Sequence, residues 1–143
     1  MGMDKKILDF LAKNRISVLT TLLPDGSPHS ASLHFSNNNN PFEFYFSTER
    51  SSRKCQSLLN GKPGKSSLVV GFSEEDFITL QMEGEVKAIL NKEDLEKIHK
   101  VHYAKYPDSE KWKNDPGSVF LVFTPKWWRY TEFKPKFFKL ESE

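Results

Sequence analysis

The chain has 143 residues, of which 37% are hydrophobic and 12 are Phe, so it can bury the core of one domain over residues 1–143. Its 21 basic and 19 acidic residues leave a net charge of only +2, which gives no bulk reason to expect a nucleic acid or a membrane as a partner. One cysteine excludes an internal disulfide, and the amino-terminal MGMDKKILDF lacks the apolar core of a secretory signal, so we expect a cytoplasmic protein.

The beginning of the chain predicts a helix and a β-hairpin. Apolar residues recur at helical spacing over residues 4–13. Residues 17–23 and 28–35 have the pattern of strands, and the PDGS between them is typical of a turn. Because strand side chains alternate, Ser32 and His34 are expected on a small, polar face of the second strand, and Leu33 on the apolar face.

A third strand and a second helix are predicted next. Phe42, Phe44 and Phe46 mark the inward face of a strand that ends at Ser47 and Thr48. Apolar residues then recur at i, i+3 and i+4 in SSRKCQSLL, which favours a helix that begins at the serine pair and ends at the following Asn-Gly.

The expected start of this helix is a candidate anion site. Unpaired N–H groups of a first turn and the hydroxyls of Thr48, Ser51 and Ser52 can donate to phosphate oxygens. Arg53 and Lys54 add charge-assisted donors, which together suit a terminal phosphate monoester. From the residues alone, a solvated basic surface capped by serine remains the alternative.

The second half of the chain predicts three more strands and a helix. The strands are expected over residues 67–72, 77–89 and 117–133, the helix over residues 91–107, and a loose tail after residue 133. In the run over residues 77–89 the alternation separates an apolar face from a polar one, and the polar one carries Thr79, Gln81 and Glu83. About six strands in hairpin order indicate a mainly β antiparallel barrel with short helices.

The order of these motifs resembles the FMN-binding split barrel of the pyridoxamine 5′-phosphate oxidase-like superfamily, in particular its small, general stress protein-like members. The matching stretches are ISVLTTLLPDGSPHSASLHF, FEFYFSTERSSRK and LQMEGEV, which fall between residues 16 and 89. The resemblance implies a six-stranded antiparallel split β-barrel that binds FMN. It also implies a homodimer with FMN at the subunit interface.

The resemblance also assigns residues to the cofactor. Arg53 and Lys54 would hold the FMN phosphate beside Ser52. Ser47 and Thr48 would contact the cofactor, and Gln81 would approach the flavin from a neighbouring strand. A further set implied by the resemblance, or suited to stacking on a flavin, comprises Ser32, Leu33, His34 and Trp128, with Trp127 and Arg129 next to the last of them.

Two departures from the true oxidase are visible. Its second strand carries an Arg and a Lys where this chain has about Ala31 and Ser36, and its carboxyl-terminal Arg-x-His has no counterpart here. We therefore expect an FMN-dependent oxidoreductase that acts on another small-molecule redox substrate or on NAD(P)H, not vitamin B6 chemistry. A non-catalytic flavin binder or electron carrier is an alternative, as is a deazaflavin or haem relative in which His29 or His34 would be the axial ligand.

Other constellations give weaker signals. His99 and His102 are three apart on a predicted helix but lack a third ligand, so we expect them at the surface and no metal site. Cys55 lies on an apolar helix face and is expected to be a buried thiol. GKPGKS lacks the spacing of a phosphate-binding loop for nucleoside triphosphates.

Overall fold

In the computed structural model, which describes residues 2–143, the chain forms two α-helices, eight β-strands and two short 3₁₀ turns. The helices and strands are α1 (Lys5–Lys13), β1 (Ile16–Leu22), β2 (Pro28–His34), β3 (Ser36–Asn38), β4 (Glu43–Glu49), β5 (Gly64–Val70), β6 (Ile78–Ile89), α2 (Lys92–Lys105), β7 (Ser118–Glu132) and β8 (Phe138–Glu141). The 3₁₀ turns span Arg53–Cys55 and Pro107–Trp112. Within residues 2–143, no helix is both long enough and apolar enough to cross a bilayer.

The strands form one antiparallel sheet in the order β2-β1-β5-β6-β7-β4-β3. Strand β7 pairs with β6 along one edge, and along its other edge with β4 in its first half and with β8 in its last four residues. The sheet curls until β2 comes beside β4 and the Arg53–Cys55 turn. This is the antiparallel split barrel that the sequence predicts. The strand count is higher than expected because β3 has only three residues and β8 lies in the tail.

The main core fills the concave face of the sheet. Phe44 and Phe46 of β4 are completely buried there with Leu80 of β6, and Ile7 and Leu11 of α1 pack against the same cluster. The predicted alternation of β4 and β6 is therefore confirmed, because every second side chain points to this core.

A second, smaller core lies on the convex face, under α2. Tyr45 of β4 and Phe120 of β7 are buried there against Ile98 and Tyr103 of the helix. Helix α2 begins at Asn91, whose side chain accepts from the Asp94 N–H, as its sequence predicts. The rest of the convex face, over β2, β1, β5 and the start of β6, is left uncovered by α2; this region is called the open convex face below.

Three expectations about local structure are wrong. The segment after Ser52 is a 3₁₀ turn followed by further i→i+3 turns, since Leu58 N–H donates to Cys55 O at 2.9 Å. Cys55 and Leu58 still face the core, because a spacing of three suits a 3₁₀ turn as well as an α-helix. The tail is not loose, because β8 pairs with β7. His102 is not at the surface but is buried under α2.

Candidate functional site

The seam where the sheet fails to close is the centre of the candidate site. Strand β2 is the last strand of the sheet and pairs only with β1, so its second edge carries unpaired backbone groups. That edge lies beside β4 and the Arg53–Cys55 turn, and the space between them is called the gap below. Most of the residues predicted to bind the cofactor flank this gap.

One end of the gap is the turn that carries Arg53 and Lys54. Thr21 Oγ1 of β1 donates to the Lys54 carbonyl oxygen at 3.0 Å, which fixes the turn against the hairpin. Neither cation forms a salt bridge within residues 2–143. The pKa of Asp25, in the β1–β2 turn, is lowered by hydrogen bonds from Ser27 and, to a smaller extent, by the charge of Arg53.

The chemistry of this turn differs from the expected helix start. A 3₁₀ turn of three residues has a negligible helix dipole, so the binding of an anion would depend on the two side chains and on nearby N–H groups. The Ser52 hydroxyl is already used, since it donates to Glu49 O at 2.7 Å. Ser47 is exposed on the convex side of β4, whereas Thr48 is buried on the core side of the same strand.

Gln81 lies on the open convex face, away from the gap. Across the paired strands, one row of side chains runs from Ser32 through Val18 and Val69 to Gln81 and Arg129. Strands β1 and β5 therefore separate Gln81 from β2, which is about 14 Å at the usual strand spacing. The assignment of Gln81 to the flavin stays a prediction.

The two tryptophans of β7 point to opposite faces. Trp128 pairs with Met82 and packs against the main core, whereas Trp127 pairs with Glu83 and borders a cavity of about 370 Å³ on the open convex face that Gln81 also lines. Arg129 lies beside Gln81, where its guanidinium donates to Glu141 Oε1 at 2.8 Å. The structure thus places Trp128 on the core side of the sheet and brings Trp127 and Arg129 to the face that carries Gln81.

A cavity of about 240 Å³ adjoins the other end of the gap and was not predicted. Its lining joins His34 of β2 and Ser47 of β4 to Arg15, His102, Tyr103, Tyr106, Ser109 and Trp112. The Tyr106 ring makes an edge-on contact with His34 at 5.5 Å, and the Arg15 guanidinium lies 5.0 Å from the same ring. The i, i+4 spacing of His102 and Tyr106 was a sequence signal for this helix face.

His102 is the buried polar group of this cavity. Its Nδ1 is joined to Ser36 Oγ by a hydrogen bond of 2.7 Å, and its ring is only 4% exposed. Burial lowers the pKa of His102 to about 4, with smaller contributions from Lys105, His99 and His34. The imidazole is therefore neutral at ordinary pH and can exchange a hydrogen bond but carries no charge.

Lys105 and Tyr106 hold α2 in place beside the cavity. Lys105 Nζ donates to Leu11 O at 3.2 Å and to Asn14 O at 2.6 Å, so it caps the end of α1. The Tyr106 hydroxyl donates to the Phe35 carbonyl oxygen. Burial and Arg15 lower the pKa of Lys105 to about 8, which leaves the ammonium mostly charged at neutral pH.

Several solved structures have the same fold as this chain. A protein from Clostridium acetobutylicum related to general stress protein 26, of the pyridoxinephosphate oxidase family, superposes with a TM-score of 0.66 at 20% identity, covering 97% of this chain and 96% of its own. A conserved hypothetical protein from Mycobacterium tuberculosis gives 0.72 at 19% identity, covering 92% and 86%. HutZ, the haem storage protein from Vibrio cholerae, gives 0.72 at 12% identity, covering 88% and 92%.

No curated protein matches the sequence significantly. The family model described as pyridoxamine 5′-phosphate oxidase matches residues 3–132, which include every strand from β1 to β7 and both sides of the gap. The match covers most of the chain, and the structural neighbours share its split-barrel fold. The chain belongs to the pyridoxamine 5′-phosphate oxidase family.

Proposed function

We propose that the protein binds FMN in the gap between β2 and β4 and uses it as an oxidoreductase. The observation that carries the proposal is the pair of cations at one end of the gap. Arg53 and Lys54 have no salt-bridge partner within residues 2–143, and they lie in a member of a flavin-associated family. A phosphate monoester supplies the negative charge and the acceptor oxygens that such a pair lacks.

The flat part of the cofactor would lie along the free edge of β2. The N–H and C=O groups of that edge have no strand partner, so they can bind the polar atoms of a heterocyclic ring. Ser32 and His34 project on one side of this edge, and Ser47 lies on the convex side of β4. Leu33 projects toward the core, and its carbonyl oxygen already accepts from Ser17 Oγ at 3.0 Å.

A homodimer completes the site in this proposal. Within its own chain, Gln81 is separated from β2 by two strands and from β4 by one, and its side chain is exposed on the open convex face. This face mixes polar side chains with exposed Ile16 and half-buried Val18 and Val69, which is a composition suited to a subunit contact. A second copy packed on this face would bring its Gln81 to the first copy's cofactor.

The cavity of about 240 Å³ beside the gap is the proposed position of the second substrate. When bound, FMN supplies a ring that takes up and returns a hydride or single electrons. Arg15 is the one permanently charged side chain in the cavity lining, so a small neutral or anionic substrate fits better than a cation. His102 and Tyr106 offer hydrogen bonds that would orient such a substrate beside the flavin.

The phosphate assignment is tested by titrating the purified, cofactor-free protein with FMN and with riboflavin, which lacks the phosphate. We expect Arg53→Ala with Lys54→Ala to weaken FMN binding about 100-fold, the scale of two lost charge-assisted bonds, and to leave riboflavin binding unchanged. Lys62→Ala with Lys65→Ala is the matched control, because both side chains are exposed and lie outside the gap. Equal binding of FMN and riboflavin by the unaltered protein would contradict the assignment.

Catalysis is tested separately from binding. Turnover of NADH or NADPH with an electron acceptor by the FMN-loaded protein would support an oxidoreductase. Tight FMN binding with no turnover over a panel of donors and acceptors would instead make the protein a flavin carrier.

Haem is a second candidate, because the neighbour from Vibrio cholerae is described as a haem storage protein. His34 is the exposed imidazole at the gap and would be the axial ligand. Addition of haemin should then give a Soret band that His34→Ala removes. A flavin spectrum in the purified protein, with no such band, would exclude haem in favour of FMN.

A further inference from the structure

A cluster of exposed phenylalanines lies at the end of the barrel where the β5–β6 and β7–β8 loops meet. Phe77, Phe133 and Phe137 are 42%, 43% and 60% exposed, and together they are called the Phe patch. The ring centroids of Phe77 and Phe133 are 4.7 Å apart, and those of Phe133 and Phe137 are 5.9 Å apart. Three large apolar side chains grouped in this way mark an interaction surface rather than scattered surface residues.

The backbone holds the patch in an unfavourable conformation. Phe77 has a φ of 50°, in the left-handed region that is unfavourable for a residue with a side chain. Its N–H donates to Ser73 O at 2.9 Å, and its carbonyl oxygen accepts from Phe133 N–H at 3.0 Å, so the two loops are fixed to each other. Burial within the chain does not compensate this strain, because the ring remains exposed.

Charged residues of both signs surround the patch, and the two signs lie on different loops. The β5–β6 loop carries the exposed carboxylates of Glu74, Glu75 and Asp76, which form no salt bridge within residues 2–143. The β7–β8 loop carries Lys134, whose Nζ lies 5.9 Å from the Phe77 ring, and Lys136. An anionic membrane or an acidic peptide would be attracted to the second loop and repelled by the first.

We propose that the Phe patch binds the Phe patch of a second copy of this chain. In a twofold contact each residue meets the partner's complementary residue, so the acidic loop of one copy would face the basic loop of the other while the rings pack between them. Both surfaces that such a contact requires are present on one chain. This contact is separate from the open convex face, and it does not depend on FMN.

The size of the patch indicates how strong the contact is. At about 200 Å² for a phenylalanine side chain, the exposed parts of the three rings offer roughly 300 Å² per copy. A stable interface buries about 800 Å² per partner, so the patch alone supports only a weak association. The contact would therefore form at high protein concentration and join monomers, or dimers already formed through the open convex face.

Sedimentation velocity of the full chain over a range of concentrations tests the proposal. We expect the average mass of the unaltered protein to rise about twofold with concentration, and Phe137→Ser to prevent the rise. The acidic loop is reversed by Glu75→Lys with Asp76→Lys, and the basic loop by Lys134→Glu with Lys136→Glu. Each reversed variant should stay at the lower mass, whereas a mixture of the two should regain the higher one, because their loops are again complementary.

Three results would overturn the proposal. One is an unaltered protein whose mass does not exceed that of Phe137→Ser at any concentration. Another is a pair of reversed variants that each associate as well as the unaltered protein. The third is binding of phosphatidylserine vesicles that Phe137→Ser removes, which would make the patch a lipid contact. If circular dichroism shows that Phe137→Ser is unfolded, the mixing of the two charge-reversed variants decides the question alone.

Discussion

Replacing His102 by Gln should remove most of the acid sensitivity of this fold between pH 6.5 and 5. His102 is buried with Nδ1 bonded to Ser36 Oγ, and burial lowers its pKa from 6.5 to about 4. In the unfolded chain His102 binds a proton below pH 6.5, whereas in the folded chain it does not bind one until about pH 4. The stabilising contribution of His102 is therefore fully present above pH 6.5 and is lost as the pH falls toward 4.

The size of this effect follows from the lowering of the His102 pKa. A difference of about 2.5 pKa units, at 1.36 kcal/mol per unit, amounts to about 3 kcal/mol when the titration is complete near pH 4, and to about 2 kcal/mol at pH 5. The pKa values of carboxyl groups such as Glu132 and Glu141 are lowered by hydrogen bonds, so these groups act mainly at lower pH. Burial also lowers the pKa of His99, which adds a slope of the same sign between pH 6.5 and 5. His102 is the more deeply buried of the two and makes the larger contribution.

The assay is urea unfolding at a series of pH values from 7.5 to 5, about the range in which a histidine of ordinary pKa titrates. Gln keeps a hydrogen-bonding group near Ser36 but cannot take up a proton, so the free energy of unfolding of His102→Gln should fall much less steeply with pH over this range, the remaining slope coming from His99. His29→Gln is the control, because His29 is half-buried on β2 outside the Ser36 contact, and it should keep the slope of the unaltered protein. Equal slopes for His102→Gln and the unaltered protein would refute the reasoning.

Two further changes test the packing of the fold. Lys105→Met leaves two carbonyl oxygens at the end of α1 without their donor, so it should lower the free energy of unfolding by about 2 kcal/mol, whereas Lys100→Met on the exposed side of α2 should have little effect. Gly84→Ala would place a Cβ against the Thr124 carbonyl oxygen, so it should cost about 1–3 kcal/mol, whereas Gly117→Ala, which has no atom closer than 3.8 Å, should be neutral. Urea titrations measure all four variants, and equal losses within either pair would contradict the corresponding contact.

Alternation along each strand was enough to predict which side chains enter the core. Phe44, Phe46, Leu80 and Met82 were assigned to the buried face from spacing alone, and all four are buried. This succeeds because strand geometry has a period of two wherever one face is covered. The motif order also gave the family, since the hairpin, the SRK segment and the LQMEGEV strand keep their sequence order in this fold.

Features that depend on distant pairing could not be predicted in the same way. The position of Gln81 relative to β2 depends on β1 and β5 lying between them, and no local pattern contains that order. The cavity beside the gap exists only because α2 folds back onto Ser36 and His34, which are far from it in sequence. The prediction of short segments fails for another reason, because the spacing of Cys55 and Leu58 is compatible with both a 3₁₀ turn and an α-helix.

The irregular pairing of β6 with β7 decides which tryptophan is buried. Glu83 pairs with Trp127 and Gly84 with Pro125, so Lys126 is an extra residue on β7. If β7 instead alternated regularly through Lys126, Trp127 and Arg129 would continue the inward series of Phe123 and Pro125, and a guanidinium would enter the barrel interior. Deleting Lys126 should therefore leave both faces of β7 unchanged, because Trp128 would then follow Pro125 at the ordinary spacing of two residues. The bulge is thus as much a determinant of the chemistry of this strand as its composition.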